Sequence, residues 1–96
     1  MTLQEVIKQP GTTIVDVREP FEFVRGHAEG AINIPLGTIP SRLEEFKSMS
    51  KPILLYCASG NRSGQATNYL NSCGVPDAFN GGGLNDVYFL AMQMQS

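Results

Sequence analysis

A cysteine at the end of an apolar run is the residue of this sequence best placed to do chemistry. Cys57 directly follows the apolar segment 53–56. A thiolate is a strong nucleophile, but a free cysteine with a pKa of about 8.5 holds only a few per cent of it at neutral pH. The reactivity of Cys57 therefore depends on the segment after it, which consists of Ala58, Ser59, Gly60, Asn61, Arg62 and Ser63.

Those six residues favour the thiolate if they turn from a strand into a helix. Successive backbone N–H groups in a tight turn point to one side and form an anion-binding nest. The N-terminus of the following helix adds about half a positive charge, and Arg62 adds a full one. We therefore predict that Cys57 is a catalytic nucleophile and that the six residues bind an anionic substrate. The alternative, that Cys57 only fills a turn, is disfavoured by this convergence of donors.

Two more charged residues, Asp16 and Arg18, alternate at the end of an earlier predicted strand. Because the carboxyl ends of parallel strands meet at one edge of a sheet, both should lie near the Cys57 segment. They could contact substrate or form a buried ion pair that fixes the junction between strand and loop. We favour the ion pair, since paired charges at sheet ends are common scaffolding.

The second cysteine and the single histidine are weaker candidates. Cys73 lies near Leu70 and Val75 with no basic neighbour, so we expect it to fill the core. His27 lies between Gly26 and Ala28, where a hydrogen bond within the turn is favoured over base catalysis. One histidine and two distant cysteines do not make a zinc site, and neither a metal nor another cofactor is predicted.

Strands and helices alternate along the chain. A capping box at Thr2 and Glu5 predicts that a helix begins there. Further helices are predicted at 19–25, from residue 40, at 63–72 and at 84–94, strands at 12–17, 31–34, 53–56 and 78–79, and a tight turn at Gly81, Gly82 and Gly83. This order predicts one α/β domain over residues 1–96, with an open, mostly parallel sheet of four to five strands and helices on both faces.

Charge and cysteine placement limit the partners and the compartment. A net charge of −2 and a pI near 5.2 argue against nucleic-acid binding. No apolar stretch approaches the roughly 18 residues of a membrane span, and no signal peptide is recognisable. The predicted helix between the cysteines separates them by about 15 Å, too far for a disulfide. Two free thiols favour the cytoplasm.

Three segments resemble the rhodanese homology family: IVDVRE at 14–19, GHAEGAINIP at 26–35 and CASGNRS at 57–63. The resemblance implies a rhodanese-like fold and a sulfurtransferase. Cys57 would take a sulfane sulfur from thiosulfate, a persulfide or a polysulfide and pass it to cyanide, sulfite or a thiol, a protein acceptor included. The family usually has an edge strand before its first helix. Since a helix already begins at Thr2, we expect that strand to be missing.

Two other functions fit parts of the same pattern. Phosphatases and arsenate reductases of the cell-cycle phosphatase type use a similar cradle, but theirs is one residue longer between cysteine and arginine. Four residues separate Cys57 from Arg62 here, and the smaller ring suits a sulfur atom on the thiolate better than a tetrahedral phosphoryl group. A rhodanese-like module that relays a persulfide to a protein partner is the second alternative.

Overall fold

The computed structural model describes residues 1–94, so the last two residues of the predicted 1–96 domain lie outside the described part. Its helices are α1 Leu3–Lys8, α2 Pro20–Val24, α3 Leu43–Ser48, α4 Asn61–Ser72 and α5 Leu84–Met94. Its strands are β1 Thr13–Asp16, β2 Ile32–Asn33, β3 Ile53–Cys57 and β4 Ala78–Gly83. Short 3-10 turns at Leu36–Thr38 and Pro40–Arg42 lead into α3.

The four strands form one parallel sheet in the order β2-β1-β3-β4. This confirms the α/β class and the parallel sheet, with four strands in residues 1–94. The first element of residues 1–94 is α1. The backbone N–H of Thr2 donates to Glu5 Oε1 at 2.8 Å and the N–H of Glu5 donates to Thr2 Oγ1 at 3.2 Å, so the capping box starts α1 directly.

Strand β3 divides the core between the two faces of the sheet. All five of its residues are fully buried, and successive side chains point to opposite faces. Ile53, Leu55 and Cys57 pack with α3 and α4, whereas Leu54 and Tyr56 pack with α1 and α5. Burial of one large apolar side chain contributes about 1.5–3 kcal/mol, so β3 is firmly placed and Cys57 with it.

The predicted glycine turn at 81–83 is wrong, because these residues continue β4. Gly83 lies opposite Cys57, and the register shifts between Leu55 and Cys57. A Cβ on Gly81 would lie 3.1 Å from the Leu54 side chain, and one on Gly83 would overlap the carbonyl oxygen of Ala58. The run of glycines therefore allows two backbones to approach each other closely, and it does not reverse the chain.

Several smaller expectations are also corrected or confirmed. Helix α4 begins at Asn61, two residues before the predicted start. Cys73 is half-buried at the end of α4 and lies outside the core cluster. Both cysteines are free thiols, as predicted. Within the described residues 1–94, the helices are too short or too polar to cross a membrane.

Candidate active site

Cys57 lies where the chain leaves the centre of the sheet and turns into α4. It is the last residue of β3, and Gly60 caps the N-terminus of α4 with a φ of 99°. That left-handed conformation favours glycine, because a Cβ there would be strained. The turn brings the first N–H groups of the helix, which lack partners within it, toward the Cys57 sulfur.

Hydrogen bonds around the sulfur stabilise its thiolate form. The N–H of Gly60 donates to Cys57 Sγ at 3.0 Å, and Ser63 Oγ lies 3.5 Å from the same atom. Burial raises the pKa of Cys57. The Ser63 hydroxyl and the N–H groups of Ser63, Ser59 and Gly60 lower it by more, so that the pKa falls from 9.0 to about 7. A large part of the thiol is therefore ionised at neutral pH.

The Ser63 hydroxyl has three acceptors for a single proton. Asn80 Oδ1 lies 2.7 Å away, the carbonyl oxygen of Gly82 3.4 Å and Cys57 Sγ 3.5 Å. The Asn80 amide has one orientation, because its Oδ1 accepts from the N–H of Gly82 and its Nδ2 donates to the carbonyl of Gly60. Ser63 thus donates to Asn80 while the sulfur is protonated. Ionisation makes the sulfur a stronger acceptor and draws the hydroxyl toward it.

Arg62 is paired with Glu22 of α2. Its two terminal nitrogens lie 2.8 and 3.0 Å from the Glu22 carboxylate oxygens. Hydrogen bonds from Arg62, followed by the N–H of Glu19, lower the pKa of Glu22 from 4.5 to about 2. The positive charge that Arg62 adds to the loop, as predicted, is thus balanced by the carboxylate of Glu22. The hydroxyl of Ser63 and the backbone N–H groups make the largest contributions to the lowered pKa of Cys57. Glu22 and, by a smaller amount, the Cys57 thiolate in turn raise the pKa of Arg62.

Asp16 and Arg18 form the buried ion pair favoured from the sequence. Arg18 donates to Asp16 from its backbone N–H, from Nε and from a terminal nitrogen 2.7 Å from Oδ2. The Tyr56 hydroxyl donates to the same oxygen at 2.8 Å and accepts from the N–H of Ala28 at 3.0 Å. Tyr56 immediately precedes Cys57, so this network fixes the end of β3 from the opposite face.

The remaining predicted loop residues are unequally exposed. Ala58, Ser59 and Asn61 are exposed at the rim, whereas Ser63 is buried beside the sulfur.

His27 is exposed. Its ring stacks on Phe23, and Nδ1 donates to the Phe23 carbonyl at 2.8 Å, which confirms a role within the turn. Within residues 1–94, no three His, Cys, Asp or Glu side chains gather in a way that could hold a metal ion.

Sequence reasoning missed three residues that shape the site, namely Glu22, Tyr56 and Asn80. Each carries a weak signal. Glu22 is the third residue of a helix that begins with a proline, and its carboxylate accepts from the N–H of the N-cap residue at 3.0 Å. Tyr56 is the polar-tipped residue of an otherwise aliphatic strand, and a buried tyrosine hydroxyl needs a partner. Asn80 interrupts an apolar strand just before the glycines.

The Ser63 hydroxyl should govern the ionisation of Cys57. In the wild-type protein, alkylation by iodoacetamide should accelerate as pH rises through about 7, because the thiolate is the reactive form. The Ser63→Ala variant loses one hydrogen bond to the thiolate, so the midpoint should rise by about one pH unit, the equivalent of roughly 1.4 kcal/mol. Ser59→Ala is the matched control, since Ser59 contributes only its backbone N–H. Equal midpoints for the two variants would contradict a role for the hydroxyl.

Comparison with known proteins agrees with the fold and with the sequence resemblance. The chain is 36% identical over 74 residues to the thiosulfate sulfurtransferase PspE of Escherichia coli, covering 76% of this chain and 71% of that protein. It is 45% identical over 75 residues to the uncharacterized protein slr1261 of Synechocystis, covering 77% of this chain. The chain spans about half the length of several curated relatives, 41% of slr1261 and 52% of another.

A solved structure described as a rhodanese with anions from Escherichia coli superimposes with a TM-score of 0.71 at 36% identity. The match covers 78% of this chain and 89% of that one. The rhodanese-like domain family itself matches residues 2–92, which include β3, the Cys57 turn and the glycine run of β4. Sequence, fold and relatives agree, and this chain belongs to the rhodanese-like domain family.

Proposed function

We propose that this protein is a sulfurtransferase that carries a sulfane sulfur on Cys57 as a persulfide. The observation that carries the proposal is a buried thiol with a pKa lowered to about 7 by donors of its own turn. A persulfide anion formed there would keep those N–H groups as partners. The name of the relative PspE supports thiosulfate as one sulfur donor.

The reaction divides into two displacements. In the first, the Cys57 thiolate attacks the outer sulfur of thiosulfate. The S–S bond of thiosulfate breaks and sulfite leaves with the electron pair, while a new S–S bond forms on Cys57. In the second, cyanide attacks the outer sulfur of the persulfide, thiocyanate leaves, and the thiolate returns. Neither step moves a proton once Cys57 is ionised, so no general base is required. The exposed position of His27 is consistent with this.

The predicted loop residues divide into two groups in this mechanism. The N–H groups of Ser59, Gly60 and Ser63 hold the negative charge on sulfur. The exposed residues Ala58 and Asn61 form the rim that the donor and the acceptor reach first. We propose that residues 1–96 act as one catalytic domain without a cofactor. Polysulfides and persulfides are further donors, and thiols, including those of proteins, are further acceptors. The two free thiols favour the cytoplasm.

Phosphatase chemistry fits the same turn less well. A phosphoryl group needs N–H donors around its equatorial oxygens together with a cation that is free to bind them. Here the guanidinium of Arg62 is paired at 2.8 Å with Glu22. The N–H of Gly60 donates to the sulfur itself at 3.0 Å, and the N–H groups of Ser59 and Ser63 also lower the pKa of that thiol. These contacts favour transfer of a sulfur atom.

A direct comparison of two assays tests the reaction class. We expect thiocyanate to form from thiosulfate and cyanide, with parallel double-reciprocal plots because the two substrates react in separate displacements. We expect no release of phosphate from an aryl phosphate under the same conditions. Phosphate release without thiocyanate would contradict the proposal, as would the absence of thiocyanate with thiosulfate, a persulfide and a polysulfide alike.

A further inference from the structure

Arg62, the one charged residue between Cys57 and Ser63, is held by a carboxylate from another element. Its guanidinium lies 2.8 and 3.0 Å from the two oxygens of Glu22. The N–H of Glu19 also donates to Glu22 Oε1 at 3.0 Å. The carboxylate is therefore held from two sides at the first turn of α2. Arg62 and Glu22 together therefore add no net charge to the site.

The charge of Arg62 is balanced by Glu22 at every pH at which Cys57 is ionised. The pKa of Glu22 is about 2, because Arg62 and Glu19 donate hydrogen bonds to its charged form, and the pKa of Cys57 is about 7. Glu22 is therefore ionised at every pH at which the thiolate exists. Arg18, close enough to Arg62 to lower its pKa, is itself paired with Asp16 at 2.7 Å. An incoming anion is then held chiefly by N–H dipoles of the turn.

We propose that Glu22 is a specificity-determining residue, which shifts the preference of the site away from the dianion thiosulfate and towards sulfane-sulfur donors with one negative charge, such as thiol persulfides and thiosulfonates. This inference rests on the proposed sulfurtransferase function. Coulomb energy is proportional to the charge of the donor, so Glu22 repels a dianion twice as strongly as a monoanion at the same place. The N–H groups of the turn attract the reacting sulfur of both kinds of donor.

Thiosulfate and methanethiosulfonate provide a matched pair of probes. Each presents a terminal sulfur bonded to a tetrahedral sulfonyl sulfur, and they differ by one charge, since a methyl group replaces an anionic oxygen. Attack by the Cys57 thiolate breaks the S–S bond of either donor. Sulfite leaves from thiosulfate and methanesulfinate leaves from methanethiosulfonate, each with the electron pair. The same Cys57 persulfide forms, and cyanide discharges it to thiocyanate.

The experiment measures kcat/KM for both donors in the wild-type protein, in Glu22→Gln and in Glu45→Gln. The amide at position 22 keeps the size of the side chain and removes its charge. Glu45 pairs with Arg42 at 2.9 Å on the exposed surface of α3, so its variant has the same change in net charge away from the site. For Glu22→Gln, we expect kcat/KM to rise about tenfold with thiosulfate and about threefold with methanethiosulfonate, because the effect is squared for a dianion.

The ratio of kcat/KM with thiosulfate to kcat/KM with methanethiosulfonate separates the inference from the proposed function. Any effect of the substitution on the Cys57 thiolate is common to both donors and cancels in the ratio. The inference is supported if this ratio rises about threefold in Glu22→Gln and stays unchanged in Glu45→Gln. The rise should become smaller when salt is added. An unchanged ratio, or an equal change in both variants, overturns it while the sulfurtransferase function stands. If neither donor loads sulfur onto the wild-type protein, the proposed function itself falls.

Discussion

Replacement of Cys57 with serine is expected to lower sulfur transfer from thiosulfate to cyanide by at least about a thousandfold, since the variant lacks the atom that carries the sulfur. A serine hydroxyl is not ionised near neutral pH and forms no persulfide. The fold should be retained, because serine is close in size to cysteine and its hydroxyl can accept from the Gly60 N–H that donates to the sulfur at 3.0 Å. Thiocyanate formation is the measurement.

Cys73→Ser is the matched control for this variant. Cys73 is half-buried at the end of α4, and Ser72 Oγ lies 4.0 Å from its sulfur. We expect its replacement to leave the rate within about twofold of the wild type, because Cys73 lies at the opposite end of α4 from Cys57 and serine is close to cysteine in size. A Cys57→Ser protein that folds normally and retains a substantial part of the wild-type rate would disprove the assignment of the nucleophile.

The second large effect is expected at Asp16, where Asp16→Asn should destabilise the protein by about 3–5 kcal/mol. The fully buried carboxylate accepts from the backbone N–H, Nε and a terminal nitrogen of Arg18 and from the Tyr56 hydroxyl. These groups all donate, so the NH2 group of an asparagine would face a donor and leave the buried Arg18 without a counter-charge. A domain of this size has about 5–15 kcal/mol of stability in total.

Thermal unfolding gives the readout for Asp16→Asn. Each kcal/mol of lost stability lowers Tm by about 4–8 °C in a domain of this size. We therefore expect Tm to fall by more than about 12 °C. The exposed pair of Arg42 and Glu45 provides the control, because Glu45→Gln also removes one carboxylate from an ion pair but should leave Tm nearly unchanged. Similar Tm values for the two variants would show that the buried pair is not the scaffold of β1 and β3.

Local patterns were sufficient to predict the elements that place the nucleophile. The apolar run before Cys57 predicts the central strand, and the capping box at Thr2 predicts the start of α1. Both signals lie within a few neighbouring residues. The glycines at 81–83 wrongly predict a turn, because a turn and a close approach between backbones need the same residue type. Only the tertiary contact of Gly83 with Ala58 distinguishes the two.

Local sequence patterns could not predict which residues the site residues contact. Glu22 and Arg62 are 40 positions apart, and Ser63 and Asn80 are 17 apart. Whether Arg62 is a free cation or half of an ion pair depends on how α2 packs beside the start of α4, which no short segment encodes. The lowered pKa of Cys57 was therefore predictable from its own turn, while the ion pair of Arg62 with Glu22 was not.

The intact mass of the protein after incubation with thiosulfate tests the central claim most directly. Excess donor is removed, and the wild-type, Cys57→Ser and Cys73→Ser proteins are weighed before and after addition of cyanide. We expect the wild type and Cys73→Ser each to gain the mass of one sulfur atom and to lose it to cyanide, while Cys57→Ser gains nothing. Folded, reduced wild-type protein that takes up no sulfur from thiosulfate, a persulfide or a polysulfide would contradict a sulfurtransferase built on Cys57.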